Sequence, residues 1–147
     1  MPISKSYSLG KSERLKSRKQ IGILFESGKK ITQFPIRLLY RTEASGQHPL
    51  SELSKQKKGE IKAGFTVSSK NFPRAVDRNR IKRLTREAYR LQKKDLEADI
   101  LKTGTVLHLF FIYTGMEIVP YKEISARVNQ LLGKLMKLTN EFNSSNT

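Results

Sequence analysis

The sequence predicts an α+β domain: a two-layer sandwich of helices on one face of a small sheet, in the order α-β-β-α-β-α, with room for one extra short strand. Three observations carry that expectation. Ile31 to Arg41 and Ile61 to Ser68 alternate polar and apolar residues at the two-residue period of a half-buried strand. Arg74 to Leu91 and Pro120 to Leu138 instead repeat apolar side chains at the i, i+3, i+4 spacing of an amphipathic helix. At 147 residues the chain suffices for one hydrophobic core and hardly for two. The expected organisation is a flexible basic arm over 1–12, a single domain over 13–140 with a loop insertion at 42–60, and a polar tail at 141–147.

Ser17-Arg18-Lys19-Gln20 matches a capping box, so a short helix should start there. Ile21, Leu24 and Phe25 form its apolar side, and Gly28 suits a left-handed residue that ends it. In the first strand Ile36, Leu38 and Tyr40 should face the core, with Arg37, Leu39 and Arg41 opposite. Pro35 cannot donate to a ladder, which places an edge or a bulge near the start of that strand. Residues 42–60 are polar and turn-rich, too long for a tight hairpin, and contain His48 with no partner in the pattern. Ile61, Ala63, Phe65 and Val67 take one face of the next strand; Lys62, Gly64, Thr66 and Ser68 take the other. Together with Arg37 and Arg41 that second face is polar and partly basic, open either to plain solvent or to a single strand of RNA. Pro73 is tolerated in the first turn of the central helix, which should fray between Gln92 and Leu101 before Gly104. Thr105 to Tyr113 is apolar on both faces and belongs inside the sheet, with His108 packed or half-buried. Ile124, Val128, Leu131, Leu135 and Leu138 line a final helix.

The central helix carries the functional signal. Ile81, Leu84, Ala88 and Leu91 make its apolar stripe, while Arg78, Lys82, Arg86, Arg90 and Lys93 lie around the other side. Between residues 74 and 94 nine Lys or Arg stand against Asp77 and Glu87. Like charges at i, i+3 and i+4 repel unless something outside the helix neutralises them. Solvated helices ordinarily mix signs; this one is nearly single-signed and rich in arginine, whose planar fork suits bidentate phosphate contact. A polyanion is the expected partner.

The whole chain agrees. A formal net charge of +16 points to RNA, DNA or an anionic surface. The longest apolar run, Val106 to Tyr113, is too short to span a bilayer, so no membrane is expected. The start lacks an apolar signal core, which makes the cytoplasm the expected location. With no cysteine, disulfides, Cys-based zinc sites and thiol catalysis are excluded. No Gly-rich phosphate loop, His-x-x-x-His pair or two-metal carboxylate cluster appears, so no catalytic residue is expected in this chain. Any chemistry should reside in the partner.

Ala75-Val76-Asp77-Arg78-Asn79-Arg80-Ile81-Lys82-Arg83-Leu84-Thr85-Arg86-Glu87 resembles the RNR signature of the protein subunit of bacterial ribonuclease P. Gly64-Phe65-Thr66-Val67-Ser68-Ser69-Lys70 is similar to the strand that precedes it in that family, and Arg14-Leu15-Lys16 with Ile21 and Leu24-Phe25-Glu26-Ser27-Gly28 to its first helix. The resemblance covers roughly residues 13–138. Ser69 stands where the family commonly has a lysine, and Ile21 where it often has an aromatic residue.

The resemblance implies a ribonucleoprotein endonuclease that removes the 5′ leader from precursor tRNA. It implies that the RNA subunit holds the Mg2+ and cleaves the bond. It further implies a mixed sheet with a left-handed β-α-β crossover around the RNR helix, against the usual right-handed rule. Residues then expected at the catalytic RNA are Lys70, Arg74, Arg78, Asn79, Arg80, Lys82, Arg83, Arg86 and Arg90. Phe25, Arg37, Thr66 and Ser68 are the candidates for the leader, where backbone contacts and modest stacking suffice. The expected partners are ribonuclease P RNA and precursor tRNA. A ribosomal or RNA-chaperone protein using the same helix on rRNA is the alternative. A DNA-binding helix-turn-helix is disfavoured, because a strand rather than a helix should precede residue 74.

Overall fold

The computed structural model describes residues 14, 15, 17–44, 60–103 and 105–145. Helix α1 (Arg18–Ser27) leads into strands β1 (Lys29–Gln33), β2 (Ile36–Ala44) and β3 (Glu60–Val67). Helices α2 (Ala75–Gln92) and α3 (Lys94–Thr103) follow, then β4 (Thr105–Tyr113) and α4 (Tyr121–Ser145). The sheet order is β1-β2-β4-β3. β4 runs antiparallel to β2 and parallel to β3, so the sheet is mixed and α2 and α3 form the crossover between the parallel pair.

The α+β class stands, with the extra short strand realised as β1. The stretch read as one strand from Ile31 is a hairpin: Phe34-Pro35 turns the chain, and Gln33 pairs with Ile36. Proline, unable to donate, sits in the turn rather than in a ladder. The region expected to fray after Gln92 is the separate helix α3, which buries Leu96 and Ile100 and starts on Asp95 and Glu97, acids that suit a helix N-terminus. At the other end α4 continues through Ser145, so residues 141–145 of the expected polar tail are helical. Of the loop expected at 42–60, residues 42–44 belong to β2 and Glu60 opens β3. Residues 45–59, with His48, lie outside the described residues, as do the arm at 1–12 and Gly104.

Two cores form, one on each face of the sheet. The larger joins Ile36, Leu38 and Tyr40 of β2, Ala63 and Val67 of β3, and Leu107, Leu109, Phe111 and Tyr113 of β4 to the helices. From the helices come Ile81, Ala88 and Tyr89, then Leu96 and Ile100, then Ile124, Val128, Leu131 and Leu135. Each fully buried large aliphatic contributes about 1.5–3 kcal/mol, and α2 is anchored in this core by Ile81, Ala88 and Tyr89. The second core is small: Leu15, Leu24, Leu39 and Phe110, with Ile21 and Ile112 packed against it. Leu39, expected on the polar face, is buried because α1 covers that part of the sheet, adding a partial third layer to the two-layer sandwich.

Glycine makes both covers possible. Gly28 ends α1 with φ −72°, an extended conformation and not the left-handed one its residue type suggested. Its requirement is close approach: a Cβ there would collide with the carbonyl oxygen of Leu24. A Cβ on Gly64 would lie 2.6 Å from the Phe110 ring and 3.3 Å from the Leu15 carbonyl oxygen. The missing side chain lets the ring lie across β3 and lets the N-terminal segment pair there, the Leu15 N–H donating to Ala63 O at 2.9 Å.

Candidate nucleic-acid interface

Helix α2 presents two chemically opposite faces. Its buried line is Ile81, Thr85, Ala88 and Tyr89, shifted from the predicted stripe because Leu91 is 44% exposed. Thr85 is tolerated in the core because its hydroxyl donates back to Ile81 O at 2.9 Å. Tyr89 stands over Phe65 and Phe111, whose rings stack 5.3 Å apart. Arg86, half-buried, lays its guanidinium over the same Phe65 at 5.9 Å, so the aromatic cluster orients a cation at the helix surface. At the C-terminal end Gln92 donates to Ser125 O and Ser125 Oγ and accepts from Asn129, clamping α2 to α4.

The outer face is cationic, but its residues differ in how committed they are. Asn79, Arg80 and Arg83 are exposed, Lys82 is half-buried beside them, and Lys70 is exposed on the turn before the helix. Arg74, at the N-cap, pairs with Asp77 at 3.2 Å. Arg90 forms a two-pronged pair with Glu87 at 2.6 and 3.1 Å, and that hydrogen bond holds its pKa above the ordinary arginine value. Arg78 is placed differently from the exposed cations: its Nη1 donates to Phe72 O and Pro73 O, both at 2.8 Å, tying the entering turn to the helix. Lys93, expected on the cationic side, is 2% exposed and paired with Glu97 at 3.1 Å, a structural link between α2 and α3.

The helix breaks a local rule in doing this. Arginine occupies the N-cap and makes no side-chain cap, where Ser, Thr, Asp or Asn is preferred. Arg74 and Arg78 lie at the positive end of the macrodipole with only Asp77 to offset them in the first turn. An anion docking at this end accepts from the uncapped N–H groups and offsets the crowded charge, and phosphate is the anion that arginine forks match best.

The sheet face covered by α1 is a second and different surface. Strand register places Thr32, Arg37, Ile112 and Thr66 abreast across β1, β2, β4 and β3. The next row holds Lys30, Leu39, Phe110 and Gly64, and the one after it Arg41, His108 and Lys62. Phe25, 56% exposed on α1, stands edge-on to Phe110 at 5.6 Å. Three of the four leader candidates, Phe25, Arg37 and Thr66, therefore belong to one side of the sheet. Ser68 does not line it as a strand residue: it lies past the end of β3, where its Oγ accepts from Asn71 N–H at 3.4 Å. Ile112 and Phe110 complete this face, and sequence reasoning passed over them because β4 is apolar on both sides. Among the described residues no three His, Asp or Glu come together as metal ligands, and no helix is long and apolar enough to cross a membrane.

The family model described as Ribonuclease P matches residues 9–136. A ribonuclease P protein component of Porphyromonas gingivalis is 31% identical over 127 residues, covering 86% of this chain and 85% of the relative. One from Chlorobium phaeobacteroides is 42% identical over 113 residues, covering 74% and 73%. Among solved structures, the RNase P protein from Thermotoga maritima superposes with a TM-score of 0.58 at 22% identity, covering 83% of this chain and 96% of that one. The RNase P protein of Staphylococcus aureus gives a TM-score of 0.58 at 18% identity, covering 85% and 96%. With a cationic helix mounted on the larger core and a mixed sheet open beside it, this chain belongs to the ribonuclease P protein family, the protein component of a tRNA-processing endoribonucleoprotein.

Proposed function

We propose that α2 docks on ribonuclease P RNA while the α1 side of the sheet holds the single-stranded 5′ leader of precursor tRNA. The observation that carries this is the contrast between the two faces. Arg80, Arg83 and Asn79 project from a helix whose other side is locked into the core. Structured RNA, with its fixed phosphate array, suits such a rigid cationic surface. The row Thr32–Arg37–Ile112–Thr66 carries one cation, two hydroxyls and an apolar floor. A strand that needs backbone and stacking contacts without base readout suits that composition.

In this reading the chain supplies binding and orientation, and cleavage takes place at Mg2+ held by the RNA. Such a particle would work in the cytoplasm. The test mixes the protein with a bacterial ribonuclease P RNA and precursor tRNA at low Mg2+. Restored removal of the leader is expected. Absence of stimulation at every protein concentration contradicts the proposal and leaves a binder of other structured RNA.

A further inference from the structure

Three turns meet at the end of the sheet where β3 and β4 finish. The β1–β2 turn offers Pro35 O, which accepts from the Thr114 N–H at 2.8 Å and from its hydroxyl at 3.2 Å. The turn after β3 offers the Asn71 amide, which donates to Thr114 O at 3.2 Å and Gly115 O at 3.3 Å. A Cβ on Gly115 would come 2.8 Å from the Pro35 Cβ, so the backbones are closely packed. This tight junction nonetheless presents two large apolar side chains to solvent. Phe34, beside Pro35, is 70% exposed, and Met116, beside Gly115, is 75% exposed. The exposed Lys70 adjoins Asn71 on the turn after β3, and Glu117, next to Met116, places an exposed carboxylate at this end.

Burial does not account for Phe34 or Met116, since neither joins a core. Their position does bear on the open sheet face. Ile36, Tyr113 and Val67 are aligned at this end of β2, β4 and β3, so the row Arg37–Ile112–Thr66 is the first full row inside the junction. RNA leaving that row in the strand direction meets the three-turn junction next. An aromatic side chain has only two torsions to fix on stacking with a base, and a polarizable thioether packs well against a flat ring.

We infer that Phe34, with Met116 and Lys70 on the adjoining turns, is a base-stacking platform that extends the single-stranded RNA track one step beyond the sheet. The inference rests on the leader reading above and adds a residue that sets how much of the leader is held. The platform is sequence-tolerant, because every base offers a flat face, and the overall charge of +16 favours RNA as its occupant.

The test uses the complete ribonucleoprotein and a series of precursor tRNAs whose leaders lengthen one nucleotide at a time. Phe34→Ala should weaken binding of long-leader substrates by roughly fivefold or more. It should leave single-nucleotide leaders unchanged. Phe34→Trp should restore the long-leader affinity and Phe34→Leu should not. The side chain is exposed, so the variants keep the fold, which thermal melting checks. An unaffected Phe34→Ala in a leader-dependent particle, or an equal loss at every leader length, overturns this inference alone. A parent particle with no leader dependence overturns it together with the reading it rests on.

Discussion

The two faces of this molecule are both basic, yet they are built on opposite plans. The α2 face concentrates its charge on one helix and the turn before it; the side chains beneath it belong to the larger core of the protein. The α1 face spreads a few cations over a sheet and floors them with Phe110 and Ile112, half-roofed by a helix that rests on a four-residue core. Charge density alone therefore does not distinguish what each binds. Mounting does: a rigid, dense array suits a partner whose phosphates are already fixed, and a sparse, partly apolar row suits one that adapts.

That comparison breaks first at the exposed arginines. Arg80→Ala with Arg83→Ala should weaken assembly with ribonuclease P RNA by tenfold or more. It should also flatten the salt dependence by about 0.7–0.9 per lost phosphate contact. Filter binding across a salt series reads both, and an unchanged slope would mean these residues face only solvent. Arg78→Ala tests a different role. Its guanidinium holds two carbonyls of the entering turn, so about 1–3 kcal/mol of stability should be lost in denaturant unfolding. The salt slope should change less than for Arg80 and Arg83.

On the other face, Gly64→Ala should cost about 1–3 kcal/mol by overpacking against Phe110 and the Leu15 carbonyl. It should reduce leader binding more than RNA assembly, because α1 and the N-terminal segment rest on that contact. Equal losses in the two assays would mean that the faces are not independent. The smallest effect concerns pH. Burial raises the pKa of Tyr113, and of Tyr40, above the ordinary value of about 10. Their neutral forms contribute full stability below the unfolded pKa, and that contribution falls as pH rises through the folded one. Absorbance titration should find both phenols ionising later than free tyrosine.

Much of this was legible from local pattern. The period of three to four residues placed α2 and its charge, and the run apolar on both sides placed β4 inside the sheet, because those signals depend on near neighbours only. What the pattern missed depends on distant ones. Leu39 reads as polar-facing until α1 is known to cover it, and Leu15 reads as the approach to the first helix until it pairs with Ala63. Lys93 reads as one more surface cation, yet the turn between α2 and α3 buries it against Glu97. Arg78 reads like Arg80, and only the path of Phe72-Pro73 reveals that it is engaged. Gly28 shows the same limit: its necessity was plain, but the cause was contact with Leu24 and not backbone handedness.

The central claim is that two faces serve two RNAs. Its most direct test is the gain in precursor-tRNA affinity contributed by the leader, measured with the particle assembled at saturating protein. Thr66→Glu, which sets a negative charge in the row beside Arg37 and Ile112, should abolish that gain while assembly is retained. Arg80→Ala with Arg83→Ala should preserve the gain once enough protein is added to complete assembly. Loss of the gain in the arginine variant with retention in Thr66→Glu, or loss in both, would contradict the account.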